Sequence, residues 1–144
     1  MANTVHLEIV TPERLFYSGD VELVIVRTIT GDEGFMAGHS WACKLLDVGE
    51  LWFKEAGSKD FKIIAASPGF IEVRDNIVIF LDAAEWPSDI DVDRAMGEKE
   101  RAELWLQQHT SPDEDEDFVL RSKISIQKQV MRMKLAQGGG RRKR

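Results

Sequence analysis

Two groups of residues in this chain have side chains that could do chemistry. Asp32, Glu33 and His39 lie in the glycine-punctuated stretch Gly31-Asp32-Glu33-Gly34-Phe35-Met36-Ala37-Gly38-His39-Ser40-Trp41, where carboxylates near an imidazole could hold a metal or exchange a proton. No other histidine has a ligand-like spacing to His39. The glycines also lack the Lys-Ser/Thr of a phosphate-binding loop and the strand-helix setting of a dinucleotide fingerprint. The stretch is therefore expected to be a loop presenting contact residues, not catalytic ones. The second group is Arg121, Lys128 and Arg132, which steps of seven and four return to one edge of a helix. A basic edge suits an anionic ligand, and it is equally the ordinary solvated face of a helix. No nucleophile is recognisable beside a base, so catalysis by the isolated chain is not expected.

The elements that would position these residues change character at Glu85 to Ala95. Upstream, apolar residues recur at every second position. Val5, Leu7 and Ile9 alternate with His6 and Glu8, and Val21, Leu23 and Ile25 alternate with Glu22. Further strand runs are Leu51 to Phe53, Phe61 to Ala66, Phe70 to Val73 and Ile77 to Leu81, with turn residues at Gly49, Gly57, Pro68-Gly69 and Asp75-Asn76. Downstream, apolar residues recur at three and four. Pro87 ends the last strand because it has no N–H for a ladder, and Ser88, Asp89 and Asp91 can each cap a starting helix. Ala95, Ala102 and Leu106 form a narrow stripe on that helix, with Val92 and Met96 to one side and Trp105 to the other, and Gly97 weakens it by about 1 kcal/mol relative to alanine. A second helix is expected from near Asp117, with the acidic cluster Asp113 to Asp117 at the positive end of its dipole.

That second helix carries two adjoining apolar bands: Val119, Ile126, Val130 and Met133 on one, Leu120, Ile124, Met131 and Leu135 on the other. Two separate partners and simple deep burial both account for so wide a face. The pattern predicts an α+β chain: an antiparallel β sandwich over residues 1–86, a two-helix antiparallel hairpin over 87–137, and a disordered basic tail over 138–144 that could touch anionic lipid or an acidic protein face.

With 144 residues, 43% hydrophobic and 31% charged, the chain can build one compact core and a smaller appendage. The net charge of -6 argues against a general nucleic-acid binder, although residues 120–144 carry lysine and arginine without any acid. Cys43 stands alone, which excludes an internal disulfide, suits a reducing cytosol and predicts a buried structural thiol. No apolar run reaches the ~18 residues of a membrane span and no signal-peptide pattern opens the chain, so a soluble cytoplasmic protein is expected.

Several stretches, taken in order, resemble a known family. They are Leu7-Glu8-Ile9-Val10-Thr11-Pro12-Glu13-Arg14-Leu15-Phe16-Tyr17, the Gly31 to His39 stretch, Gly69-Phe70-Ile71-Glu72-Val73, and Ala84-Glu85 followed by Ile90-Asp91-Val92-Asp93-Arg94-Ala95. The series resembles the epsilon subunit of bacterial F-type ATP synthases, over nearly the whole chain. It departs at Ala37, where the family usually has proline, at Trp41, and at Pro68, where glycine is common.

The resemblance implies a ten-stranded sandwich followed by a helical hairpin. It also implies a non-catalytic central-stalk subunit, peripheral on the cytoplasmic face of the bacterial cell membrane. Its partners would be the gamma subunit, the c-ring, and the alpha and beta subunits of the catalytic hexamer. Asp32, Glu33, His39 and Trp41 would lie at the c-ring and gamma contact, and the hairpin would inhibit ATP hydrolysis. No cofactor is required, but some family members bind regulatory ATP, which by resemblance would here involve Glu85, Ile90, Asp91, Arg94, Ala95, Lys128 and Arg132. The same residues have an ordinary structural reading: Asp91 as helix cap, Arg94 paired with Glu98 one turn on. The rival from another class is a sandwich enzyme or ligand-binding protein with a helical lid, which autonomous turnover would reveal.

Overall fold

The computed structural model describes residues 3–109 and 115–138, and the chain divides into two compact units, residues 1–86 and 87–144. Thus the basic tail beyond Gly138 and the acids Asp113 and Glu114 lie outside the described residues.

The first unit has nine strands: β1 (Val5–Val10), β2 (Leu15–Thr28), β3 (Gly31–Phe35), β4 (Ala42–Leu46), β5 (Gly49–Glu55), β6 (Lys62–Ala66), β7 (Gly69–Val73), β8 (Ile77–Leu81) and β9 (Ala84–Glu85). They hydrogen-bond in the order β1-β8-β7-β4-β2-β5-β6-β9, with β3 also on β2 and β1 closing back onto β2. Nine strands stand where the resemblance implied ten, because β2 runs unbroken for 14 residues, pairing with β1 along its first half and with β3 and β5 along its second. All pairings are antiparallel except β1 with β8, which is parallel.

The core contains Leu7, Ile9, Val21, Val24, Phe35, Phe53, Ile64, Ile71, Ile77 and Ile79, each at most 1% exposed. In β2 the expected alternation fails after Val21. A register shift between Val21 and Leu23 turns the strand by one residue, so Val24 and Val26 enter the core in place of Leu23 and Ile25. The stretch from Gly31 to Trp41 is also not a single loop. Its first five residues form β3, and the turn begins at Met36, with Gly38 at φ 79 in the left-handed region that glycine adopts without strain. Strand β4 escaped the sequence reading because Ala-Cys-Lys-Leu-Leu has no clean period. Cys43 on β4 is exposed, contrary to the expected buried thiol, since its side chain takes the outward position of the pleat. Pro68, the departure noted above, sits between β6 and β7, where its carbonyl accepts from Asp82 N at 3.1 Å.

The end of the sandwich is fixed by aromatic contact. Trp86 stacks on Phe16 with centroids 5.1 Å apart, lies 6.3 Å from Phe53, and has the Lys62 ammonium over its ring at 5.8 Å. Beneath it the Tyr17 hydroxyl donates to Glu55 Oε2 at 2.8 Å, and Lys62 Nζ lies 2.9 Å from Glu55 Oε1. Burial, then the hydrogen bond to Glu55, pushes the Tyr17 phenol well above its usual range, while hydrogen bonds from Lys62 and Tyr17 hold Glu55 below the usual carboxylate range. Glu55 therefore adds stability above the unfolded carboxylate value of about 4.3, lost as pH falls through its lower folded value. Tyr17 adds stability below about 10, lost as pH rises through its higher folded value. Glu55→Gln is expected to flatten the acid limb of melting temperature against pH, and an unchanged acid slope would contradict this.

The second unit opens with a 3-10 turn, Pro87–Asp89, and contains α1 (Val92–Gln108) and α2 (Glu116–Ala136). The Asp91 side chain caps α1 by accepting from Arg94 N at 3.0 Å, and Asp115 caps α2 by accepting from Asp117 N at 2.9 Å, so the second helix starts one residue before the expected Asp117. The apolar bands of α2 are buried only in part. Leu120 is 57% and Val130 46% exposed, and the buried positions are Gln129, Arg132 and Leu135. At 100° per residue, Gln129 and Leu135 lie about 60° to either side of Arg132, which places the basic edge between the two bands. That line passes from exposed Arg121 through half-buried Lys128 to buried Arg132, which is not the solvated face an arginine usually takes.

Candidate functional site

The expected contact residues of the sandwich occupy β3 and the turn that follows it. Asp32 and Glu33 are successive residues of β3, so their side chains leave opposite faces. Asp32 is paired with Arg27, its direct cross-strand partner, at 2.5 Å, and Glu33 with Lys44 of β4 at 2.5 Å. The Lys44 hydrogen bond holds the Glu33 carboxyl below its usual range, and the Asp32 hydrogen bond raises the Arg27 guanidinium. His39 closes the turn: its N–H donates to Met36 O at 3.2 Å and its ring meets Phe35 edge-on at 4.7 Å. Trp41 is 70% exposed, with the Arg74 guanidinium 5.8 Å over its ring. Among the described residues no group of three or more His, Cys, Asp and Glu side chains could hold a metal.

One arrangement corrects the expectation that no nucleophile stands beside a base. On the paired strands β1 and β2, Ser18 Oγ is 3.2 Å from His6 Nε2, and His6 Nδ1 is 3.1 Å from Asp20 Oδ1. His6 and Asp20 are direct cross-strand partners, and Ser18 faces Glu8 two pairs along on the same side of the sheet, so sheet register alone assembles the trio. Sequence spacing hid it, because the two strands had to be paired first. The side chains of His6 and Asp20 are 35% and 64% exposed, on the outside of a sheet whose local N–H groups serve the ladder. The trio therefore lacks the aimed oxyanion donors and water exclusion that give such a group its catalytic power.

The helical unit draws its polar residues together more closely. Arg94 Nε donates to Glu98 Oε1 at 3.1 Å across one turn of α1, as expected. The other oxygen, Glu98 Oε2, accepts from Gln129 Nε2 of α2 at 2.8 Å. Arg132 Nη1 donates to Gln129 Oε1 at 2.5 Å and lies 3.9 Å from Glu98 Oε2. The carboxylate thus joins Arg94 directly to Arg132 through an amide. A buried guanidinium needs such compensation, since desolvating it alone costs several kcal/mol. Ala95, 0% exposed, gives the seam its small residue, and Ile90 is buried at 8%. Lys128 is half-buried one position before Gln129. Glu85, the remaining residue of the expected nucleotide set, belongs to the first unit, where it pairs with Ala65 across β9 and β6. Glu98 and Gln129 were absent from the expected set. The spacing of Arg94 and Glu98 exposes half of the link, but Gln129 has no signal until the two helices are laid together.

The described residues thus form a nine-stranded sandwich and a two-helix unit whose seam joins Glu98, Gln129 and Arg132. Residues 4–87 match the family described as ATP synthase, Delta/Epsilon chain, beta-sandwich domain. The chain is 41% identical over 134 residues to the ATP synthase epsilon chain of Halalkalibacterium halodurans, covering 92% of this chain and 97% of that one. It is 41% identical over 138 residues to the epsilon chain of Caldanaerobacter subterraneus subsp. tengcongensis, covering 94% and 96%. A chain from the Euglena gracilis mitochondrial ATP synthase OSCP/F1/c-ring structure shares the fold with a TM-score of 0.69 at 23% identity, over 85% of this chain and 75% of that one. The chain belongs to the ATP synthase epsilon family, a non-catalytic subunit of the central stalk. No helix among its described residues is long and apolar enough to cross a membrane.

Proposed function

We propose that this chain couples the rotating gamma subunit to the c-ring of a bacterial F-type ATP synthase and restrains ATP hydrolysis through its helical hairpin. The sandwich is the rigid grip, with His39 and Trp41 at its contact end, and the assembly holds the chain at the cytoplasmic face of the cell membrane. Alpha and beta subunits of the catalytic hexamer receive the hairpin when it extends along gamma.

The observation that carries the hairpin's role is the incomplete burial of its apolar residues. Arg132 and Gln129 are buried, while Leu104, Phe118 and Leu120 are 54%, 53% and 57% exposed. Large apolar residues left exposed on both helices favour a second packing against other subunits, and a switch needs two packings of similar free energy. Removing the chain after Ser88 is expected to raise ATP hydrolysis by the assembled complex several-fold while synthesis remains coupled. Unchanged hydrolysis would withdraw the inhibitory role and leave the coupling one.

ATP is the ligand we assign to the hairpin, with Arg94 and Arg132 as phosphate forks, Lys128 as a point charge, and Ile90, Asp91 and Ala95 beside the adenine and ribose. Calorimetry on the whole chain should give ATP binding that Arg94→Ala weakens at least tenfold, about 1.4 kcal/mol. No heat at millimolar ATP would remove this part of the reading.

A further inference from the structure

Glu98 occupies the position between the two arginines assigned to phosphate. Its Oε1 takes the Arg94 Nε–H at 3.1 Å, and its Oε2 takes the Gln129 amide at 2.8 Å with Arg132 Nη1 at 3.9 Å. Gln129 is 2% and Arg132 8% exposed, so this end of the network is shielded from water. The amide has one productive orientation: its oxygen must face the guanidinium and its NH2 the carboxylate, because the reverse would set donor against donor. Glu98 therefore presents to the arginines part of what a phosphate presents: one anionic oxygen hydrogen-bonded to Arg94 and a second at ion-pair distance from Arg132. Asp91, the nearest acid of the nucleotide motif, is engaged with the Arg94 backbone N–H instead.

We propose that Glu98 is a tethered competitor for the nucleotide's phosphates and sets the concentration at which ATP is sensed. This rests on the ATP-binding reading above. With the Glu98 carboxylate in place, a triphosphate must displace it from Arg94 and from the Gln129–Arg132 pair, and then remain beside a like charge. The affinity seen in solution is reduced by the fraction of molecules in which Glu98 holds the arginines. Neutralising the carboxylate removes both penalties, at the cost of the acceptor that Glu98 Oε2 offers to the Gln129 amide. Adenosine, which has no phosphate, is insensitive to the exchange.

The test is calorimetric titration of the full chain and its Glu98→Gln and Glu98→Ala variants with ATP, inorganic tripolyphosphate and adenosine, with helicity checked by circular dichroism. Both polyanions are expected to bind about tenfold tighter to the variants, with adenosine unchanged. The glutamine variant keeps the side-chain shape and the acceptor toward Arg94 while setting its NH2 against that of Gln129, so it still frees the Gln129–Arg132 end and answers the question if the alanine variant loses helix. Binding by the variants alone supports the competitor in its strongest form. If the native chain binds ATP and the variants bind it equally or more weakly, the competitor is overturned and the ATP reading stands. If no form binds ATP, both fall. An equal gain for adenosine overturns it as well, because the effect would then be a general loosening of the helices.

Discussion

Replacing Gly69 by alanine should lower the melting temperature of the sandwich by about 15 °C, corresponding to about 3 kcal/mol in a unit of this size. Gly69 opens β7 between two partners, Leu46 of β4 and Leu81 of β8. A Cβ there would stand 1.8 Å from the Phe80 carbonyl oxygen and 2.9 Å from Leu81 Cα. Both are backbone atoms, so no side-chain rotation relieves the clash and the β7–β8 ladder must part. A scanning calorimetry trace of Gly69→Ala superimposing on that of the native chain would refute the argument. Gly97 is the contrasting case: its Cβ would meet only the Arg101 guanidinium at 3.8 Å, and alanine there is accommodated.

Arg132→Ala should destabilise the helical unit by about 2 kcal/mol, below the roughly 3 to 5 kcal/mol of a fully buried broken pair because Glu98 keeps 29% of its side-chain surface. The loss has two sources: Gln129 Oε1 loses its guanidinium donor inside the seam, and the Glu98 carboxylate loses its buried counter-charge. Hydrogen exchange across α2 measures it, with faster exchange expected around residues 126–134. Arg132→Met restores the buried stem without the charge and should fall between alanine and the native chain. Protection equal to the native chain in Arg132→Ala would mean that the network contributes nothing.

Elements whose cues are local were legible in the sequence. β8 is a continuous apolar run bounded by Asp75-Asn76 and Asp82, and α1 begins where Asp91 can reach the Arg94 N–H. What escaped depends on partners. The turn of register in β2 is set by the strands on either side of it, so periodicity carried the wrong residues, Leu23 and Ile25, into the core. β4 has its place because β7 pairs along its whole length, though its own five residues argue for nothing. In the candidate site, Arg94 and Arg132 came from resemblance and their meeting point did not. Glu98 and Gln129 are 31 residues apart and gain meaning only when the helices pack, as do His6 and Asp20, 14 apart on their strands.

The polar seam of the hairpin also has a thermal signature. Unfolding the sandwich uncovers Leu, Ile, Val and Phe and must raise the heat capacity. Parting α1 from α2 returns Glu98, Gln129 and Arg132 to water, and hydration of polar groups lowers it. The two contributions oppose each other at Ala95 and Leu135, leaving a small net change for the helices. Parting of the helices would thus give a stability that runs nearly straight with temperature, where that of the sandwich is strongly curved.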